Sequence, residues 1–133
     1  MFQYKKDSVL FTMEPSKGSP YGWYDEANNT IYINKHLSEI DREIVYFHER
    51  QHRKCKKEGC ACYSKPTDFW CEYHAMKVEF EDCVKSGPKF IARYKVLFRE
   101  SLEVYKSDLK VWGAHYRASM KLLSLKKFRE VIL

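Results

Sequence analysis

The chain has 133 residues, with 24 Lys and Arg against 18 Asp and Glu and a net charge of +6. Hydrophobic residues make up 44% and aromatics 16%, enough to bury a core, so wholesale disorder is excluded and the length suits one domain. No apolar run approaches the roughly 18 residues that a membrane-spanning helix needs.

Met1 to Asp7 are charged and lack the apolar stretch of a signal peptide, so a cytoplasmic protein without a membrane partner is expected. The first third reads as β-rich. Ser8 to Met13 is apolar and partly β-branched, and Pro15 to Pro20 is punctuated as a loop. Tyr21 to Asp25 and Thr30 to Asn34 read as a hairpin around the turn-forming Glu26 to Asn29. Helical signals begin at Ser38, an N-cap with Asp41 in the first turn. Ile40, Ile44, Val45 and Phe47 supply its apolar stripe, and Gly59 ends it. A loop to Pro66 precedes a second helix, capped by Thr67 or Asp68 and stopped at Gly87-Pro88. A third helix is expected from Lys89 to about Ser107. A fourth helical segment follows from Asp108 to Val131, bent near Gly113. Within it Trp112, Tyr116, Met120 and Leu123 are spaced as a core-facing stripe. The tail Phe128 to Leu133 is apolar enough for a subunit interface. The expected fold class is α+β, an N-terminal β-hairpin or small sheet followed by about four helices.

His48-Glu49-Arg50-Gln51-His52 is an H-E-x-x-H motif within the first helix. At about 100° per residue, positions i and i+4 lie one above the other, about 6 Å apart along the axis. Two imidazoles there can chelate one Zn²⁺. Glu49 projects beside them, where it can take a proton from an attacking water and pass it on. Random order of five His and twelve Glu would give the motif roughly 0.02 times.

A catalytic zinc site needs a third protein ligand. Glu72 is the best candidate, 20 residues after His52, with Ala75 on nearly the same face to let two helices approach. Glu79, two turns later, is an alternative ligand or a group that orients a zinc-bound histidine. His74 is the third rival, but it lies about 200° around the helix from Glu72. It is expected to be a packing or surface histidine, or to reach the rim. Cys55 is about 10.5 Å along the axis from His48, too far to share that metal.

Around these residues the sequence resembles the gluzincin-type zinc metallopeptidases, especially the small single-domain, phage-type and ImmA/IrrE-like kind. The matching pieces are Trp23 to Asn34, His48 to His52 and Glu72-Tyr-His-Ala75, within residues 21 to 83. The resemblance implies one zincin-like domain over 1–133: a β-rich part (1–37), active-site helices (38–86) and a C-terminal helical part (89–133). It implies His48, His52 and Glu72 as zinc ligands, Glu49 as general base, and a peptide or protein substrate lying along Thr30 to Asn34 as an added strand. Met76 stands where the thermolysin-like pattern has an aspartate. Tyr63, Tyr73 and His115 are the candidates for stabilising an oxyanion.

Cys55-x4-Cys60-x-Cys62-x8-Cys71 can hold a second, structural zinc, form a disulfide, or remain reduced thiols. Cys83 reads as a core position on the second helix. Residues 89–133 carry 11 basic and 4 acidic side chains. That excess admits an acidic protein or nucleic-acid partner, although a solvated helical face explains it as well. The leading expectation is a zinc-dependent metallopeptidase. The alternative is a non-catalytic, metal-stabilised binding module.

Overall fold

A computed structural model describes residues 8–12, 21–60 and 68–133. Among these residues, strands β1 (Ser8–Thr12), β2 (Gly22–Asp25) and β3 (Thr30–Asn34) are followed by five helices. These are α1 (Glu39–Glu58), α2 (Asp68–Ser86), α3 (Pro88–Ser107), α4 (Leu109–Leu123) and α5 (Lys126–Ile132). The class is α+β, a small sheet followed by helices. Among the described residues no helix is long and apolar enough to cross a membrane.

The hairpin forms as the sequence indicates. Asp25 pairs with Thr30, and Asn29 takes a left-handed φ of 50°, which asparagine tolerates. The Asp25 carboxylate accepts the Ala27 amide at 3.1 Å and the Asn28 side-chain amide at 2.7 Å. β1 adds parallel to β3, so the order is β1-β3-β2 and β3 lies in the middle. This overturns the expectation that a peptide pairs with Thr30 to Asn34. Both edges of β3 are already hydrogen-bonded within the chain, so among the described residues the outer edges belong to β1 and β2.

Alternation puts Ile31 and Ile33 on one face of β3, fully buried with Val45 of α1. Trp23 and Tyr32 stack 5.0 Å apart, with Tyr32 on the other face. Gly22 makes the close approach of α1 possible. A Cβ there would lie 2.5 Å from the Tyr32 carbonyl oxygen and 2.8 Å from a Val45 methyl.

The helix ends follow their caps. Ser38 Oγ accepts the Asp41 amide at 3.2 Å, and Gly59 closes α1 in the left-handed conformation at φ 65°. Pro88 starts α3 at its first turn, where a missing N–H costs nothing. Asp108 accepts the Lys110 and Val111 amides and starts α4. Arg93 reaches from α3 to Asp41 with two hydrogen bonds of 2.8 and 2.9 Å, fastening the first turn of α1.

The main core gathers Ile44, Met76, Phe80, Cys83, Tyr94, Leu97, Ala118, Leu122, Phe128 and Ile132. Three expectations for the C-terminal third change here. The last helical segment is two helices, because the chain turns at Ser124-Leu125, while the bend expected near Gly113 is present, at the adjacent Trp112. The buried face of α4 runs through Ala118, Ser119 and Leu122, while Met120 is exposed. Small residues at 118 and 119 bring α4 onto α2, with Ser119 Oγ 3.7 Å from Met76 Sδ. Finally, the tail packs on its own chain. Phe128 is fully buried, 4.8 Å from the Phe80 ring and 5.1 Å from the Phe98 ring.

Candidate metal centre

His48 and His52 project from one face of α1 toward α2, as their spacing requires. Their Nε2 atoms lie 3.2 Å apart. Glu72, in the second turn of α2, inserts its carboxylate between them. Oε1 is 3.0 Å from His48 Nε2, and Oε2 is 3.0 Å from His52 Nε2. The ligand atoms of these three residues all fall within 4.8 Å of one another. Tetrahedral zinc with Zn–N bonds of 2.0–2.1 Å separates its ligand atoms by about 3.3 Å. Two imidazoles and a carboxylate at 3.0–3.2 Å are therefore a donor set of the right chemistry and the right spacing.

The helices that carry this group are tied to each other. Arg50 of α1 meets Asp82 of α2 at 2.6 Å. Ala75 is 1% exposed and adds no bulk beside Glu72. Glu79 sits behind the group. Its Oε1 is 2.9 Å from His48 Nδ1, so it fixes the ring's tautomer and leaves Nε2 facing Glu72. Glu79 is not among the three residues whose ligand atoms converge, and its contact with His48 is through the ring nitrogen on the far side from Glu72. Replacing Glu79 by Ala is expected to weaken zinc affinity at this centre about 10–100-fold while leaving its stoichiometry unchanged. Competition with a chromogenic chelator measures this.

Glu49 is 8% exposed and its carboxyl is coupled to the charges of His48, His52, Glu72 and Glu79. Burial pushes its carboxyl above the ordinary carboxylate range, against the opposing pull of His48 and His52. Burial also disfavours charge on His48, yet Glu49, Glu72 and Glu79 outweigh it and hold that imidazolium well above its usual range. Glu72 is the converse. Its burial is outweighed by His52, His115 and the hydrogen bonds from both motif histidines, so it stays ionised well below the usual carboxylate range.

A third helix contributes to the rim. His115 of α4 places Nε2 3.2 Å from Glu72 Oε1. Its Nδ1 is buried without a hydrogen-bond partner. Burial lowers its basicity, so it is held as a neutral imidazole more readily than His48. Tyr105 of α3 and Trp112 hold the ring at centroid distances of 5.1 Å each. Of the three residues considered for an oxyanion, only His115 joins this group. Tyr73 stacks on Phe69 away from it, and Tyr63 lies outside the described residues. The sequence places Tyr105 near the end of the third helix and carries no further signal for it. Its position beside His115 depends on the α3–α4 turn, for which the helical period carries no signal.

The cysteines divide. Cys55 and Cys60 come together, and His74 joins them, with their ligand atoms within 4.8 Å of one another. Cys71 is not in that group, Cys62 lies outside the described residues, and Cys83 is buried in the core. No disulfide links Cys55 to Cys60.

No protein-family model, curated protein or solved structure matches this chain.

Proposed function

We propose that the chain is a zinc-dependent metallopeptidase of gluzincin type, with His48, His52 and Glu72 holding the ion and Glu49 as general base. The convergence of two imidazole nitrogens and one carboxylate beside a buried, separate glutamate carries this reading. A purely structural site uses every donor around the ion. Here a second carboxylate, that of buried Glu49, is coupled to the ligand set without being part of it.

Bound Zn²⁺ would supply Lewis acidity toward a peptide carbonyl and an attacking water. Glu49 takes the proton of that water and delivers it to the leaving amine. Its raised pKa suits both halves of this transfer, because the base works best with a pKa near the operating pH. Glu79 keeps His48 in the tautomer that presents Nε2. His115, whose Nε2 lies 3.2 Å from Glu72, is a neutral donor beside the ligand set for the carbonyl oxygen as it gains charge. The substrate is an extended peptide pairing with an outer strand, β1 or β2, since β3 has no open edge.

The test is hydrolysis of an unfolded protein substrate by the zinc-loaded chain. Cleavage that stops on chelation and returns with added zinc is expected. Zinc binding with no cleavage of any of a broad peptide library would favour the metal-stabilised binding module instead.

A further inference from the structure

A second cluster of metal-ligating side chains lies farther along the same pair of helices. Cys55 is in the last turn of α1. The chain then reverses through Gly59, whose left-handed φ of 65° lets both the Gly59 and Cys60 amides donate to the Cys55 carbonyl, the latter at 2.9 Å. This cap folds Cys60 back over Cys55 and explains the four-residue spacing. His74 of α2 meets them, with Nδ1 3.4 Å from Cys55 Sγ and 3.5 Å from Cys60 Sγ. It sits two residues from Glu72 but around the helix from it, so α2 offers Glu72 to one group and His74 to the other. Buried Gln51 donates its side-chain amide to Cys55 Sγ at 3.2 Å, the type of outer contact that orients a thiolate ligand. Cys55, Cys60 and His74 all line an open cleft of about 460 Å³, which gives an ion a way in.

We propose that Cys55, Cys60 and His74 bind a second Zn²⁺, which pins the C-terminal turn of α1 to α2 and so holds Glu72 in register with His48 and His52. Two soft thiolates and an imidazole select zinc over magnesium or calcium. The Sγ–Nδ1 distances of 3.4 and 3.5 Å suit neighbouring ligands on one ion, and the three donor atoms all lie within 4.8 Å of one another. The assignment replaces Cys71 of the sequence-level cysteine set with His74, and it stands whether or not the first site is catalytic.

The full chain, purified under reducing conditions and loaded with zinc, should hold two ions. Cys55→Ser with His74→Ala should remove one, whereas His48→Ala with His52→Ala should remove only the other. Cobalt loading of the wild type needs no substitution and reads the same site. It should give near-ultraviolet thiolate-to-metal charge-transfer absorption that persists in His48→Ala with His52→Ala and in Cys71→Ser. Absence of a thiolate band in the wild type would overturn the proposal. So would a band that survives unchanged in His74→Ala but disappears in Cys71→Ser.

Discussion

Replacing Glu49 by Gln is expected to leave zinc bound and to lower peptide hydrolysis about 10²–10⁴-fold, the usual contribution of a positioned general base. Glutamine keeps the volume and hydrogen-bonding reach of the side chain but cannot take a proton. The three residues that converge as ligands do not include Glu49, so the metal should stay. Stability should move the opposite way from activity. Burial raises the Glu49 pKa, so its contribution to folding is best below the ordinary value of 4.5 and is lost as pH rises through the folded value. At neutral pH the metal-free wild type therefore carries the cost of a buried carboxylate that Gln removes, and the thermal midpoint of Glu49→Gln should equal or exceed that of wild type. Such an exchange of stability for activity is typical of catalytic groups. Turnover, zinc content and thermal midpoint on one preparation decide it. Unchanged turnover would exclude Glu49 from the chemistry.

Replacing Glu72 by Ala should produce the largest loss of stability. Glu72 touches His48, His52 and His115, and its side chain is only 12% exposed. Removing one member of a buried charge group leaves the others uncompensated, which costs about 3–5 kcal/mol when they cannot neutralise. Histidines can shed their protons, so in the metal-free protein the loss depends on pH. The raised His48 pKa gives stability that is complete below the unfolded value of 6.5 and lost as pH rises through the folded value. The lowered Glu72 pKa gives stability that is complete above 4.5 and lost as pH falls through the folded value. Both contributions are whole between 4.5 and 6.5. The difference between wild type and Glu72→Ala should be greatest in that window, about 3 kcal/mol, and shrink on the alkaline side. Urea unfolding of chelator-treated protein across pH measures it. A difference that does not vary with pH would show that the carboxylate and the imidazoles are not coupled.

Much of the centre was legible because its chemistry is local. The i, i+4 spacing of His48 and His52 needs only a helix, and Ser38 and Gly59 mark where that helix starts and stops. Glu72 and Glu79 were reachable because both lie on one stripe of α2. His74 points elsewhere on α2, which the same helical geometry indicated. Its partners were not legible, because Cys55 and Cys60 meet it only through the left-handed turn at Gly59 and the crossing of α1 with α2. The parallel addition of β1 to β3 was also hidden. A five-residue apolar segment shows that it pairs, not with which strand, and here the pairing closes the edge on which a peptide was expected. In α4 the spacing of Trp112, Tyr116, Met120 and Leu123 indicated a stripe beside the most buried one: Leu123 packs on the core, Trp112 and Tyr116 are half-buried, and Met120 is exposed. The large side chains were not the decisive ones, since close packing on α2 requires the small Ala118 and Ser119.

The most direct measurement is zinc per chain, in protein purified without added metal, for wild type and for His48→Ala with His52→Ala. If His48, His52 and Glu72 form a metal centre, the substituted protein should hold one zinc fewer than wild type while its helical circular dichroism is preserved. Equal zinc in the two folded proteins, or no zinc in the wild type even after reconstitution, would contradict that centre and the peptidase reading built on it.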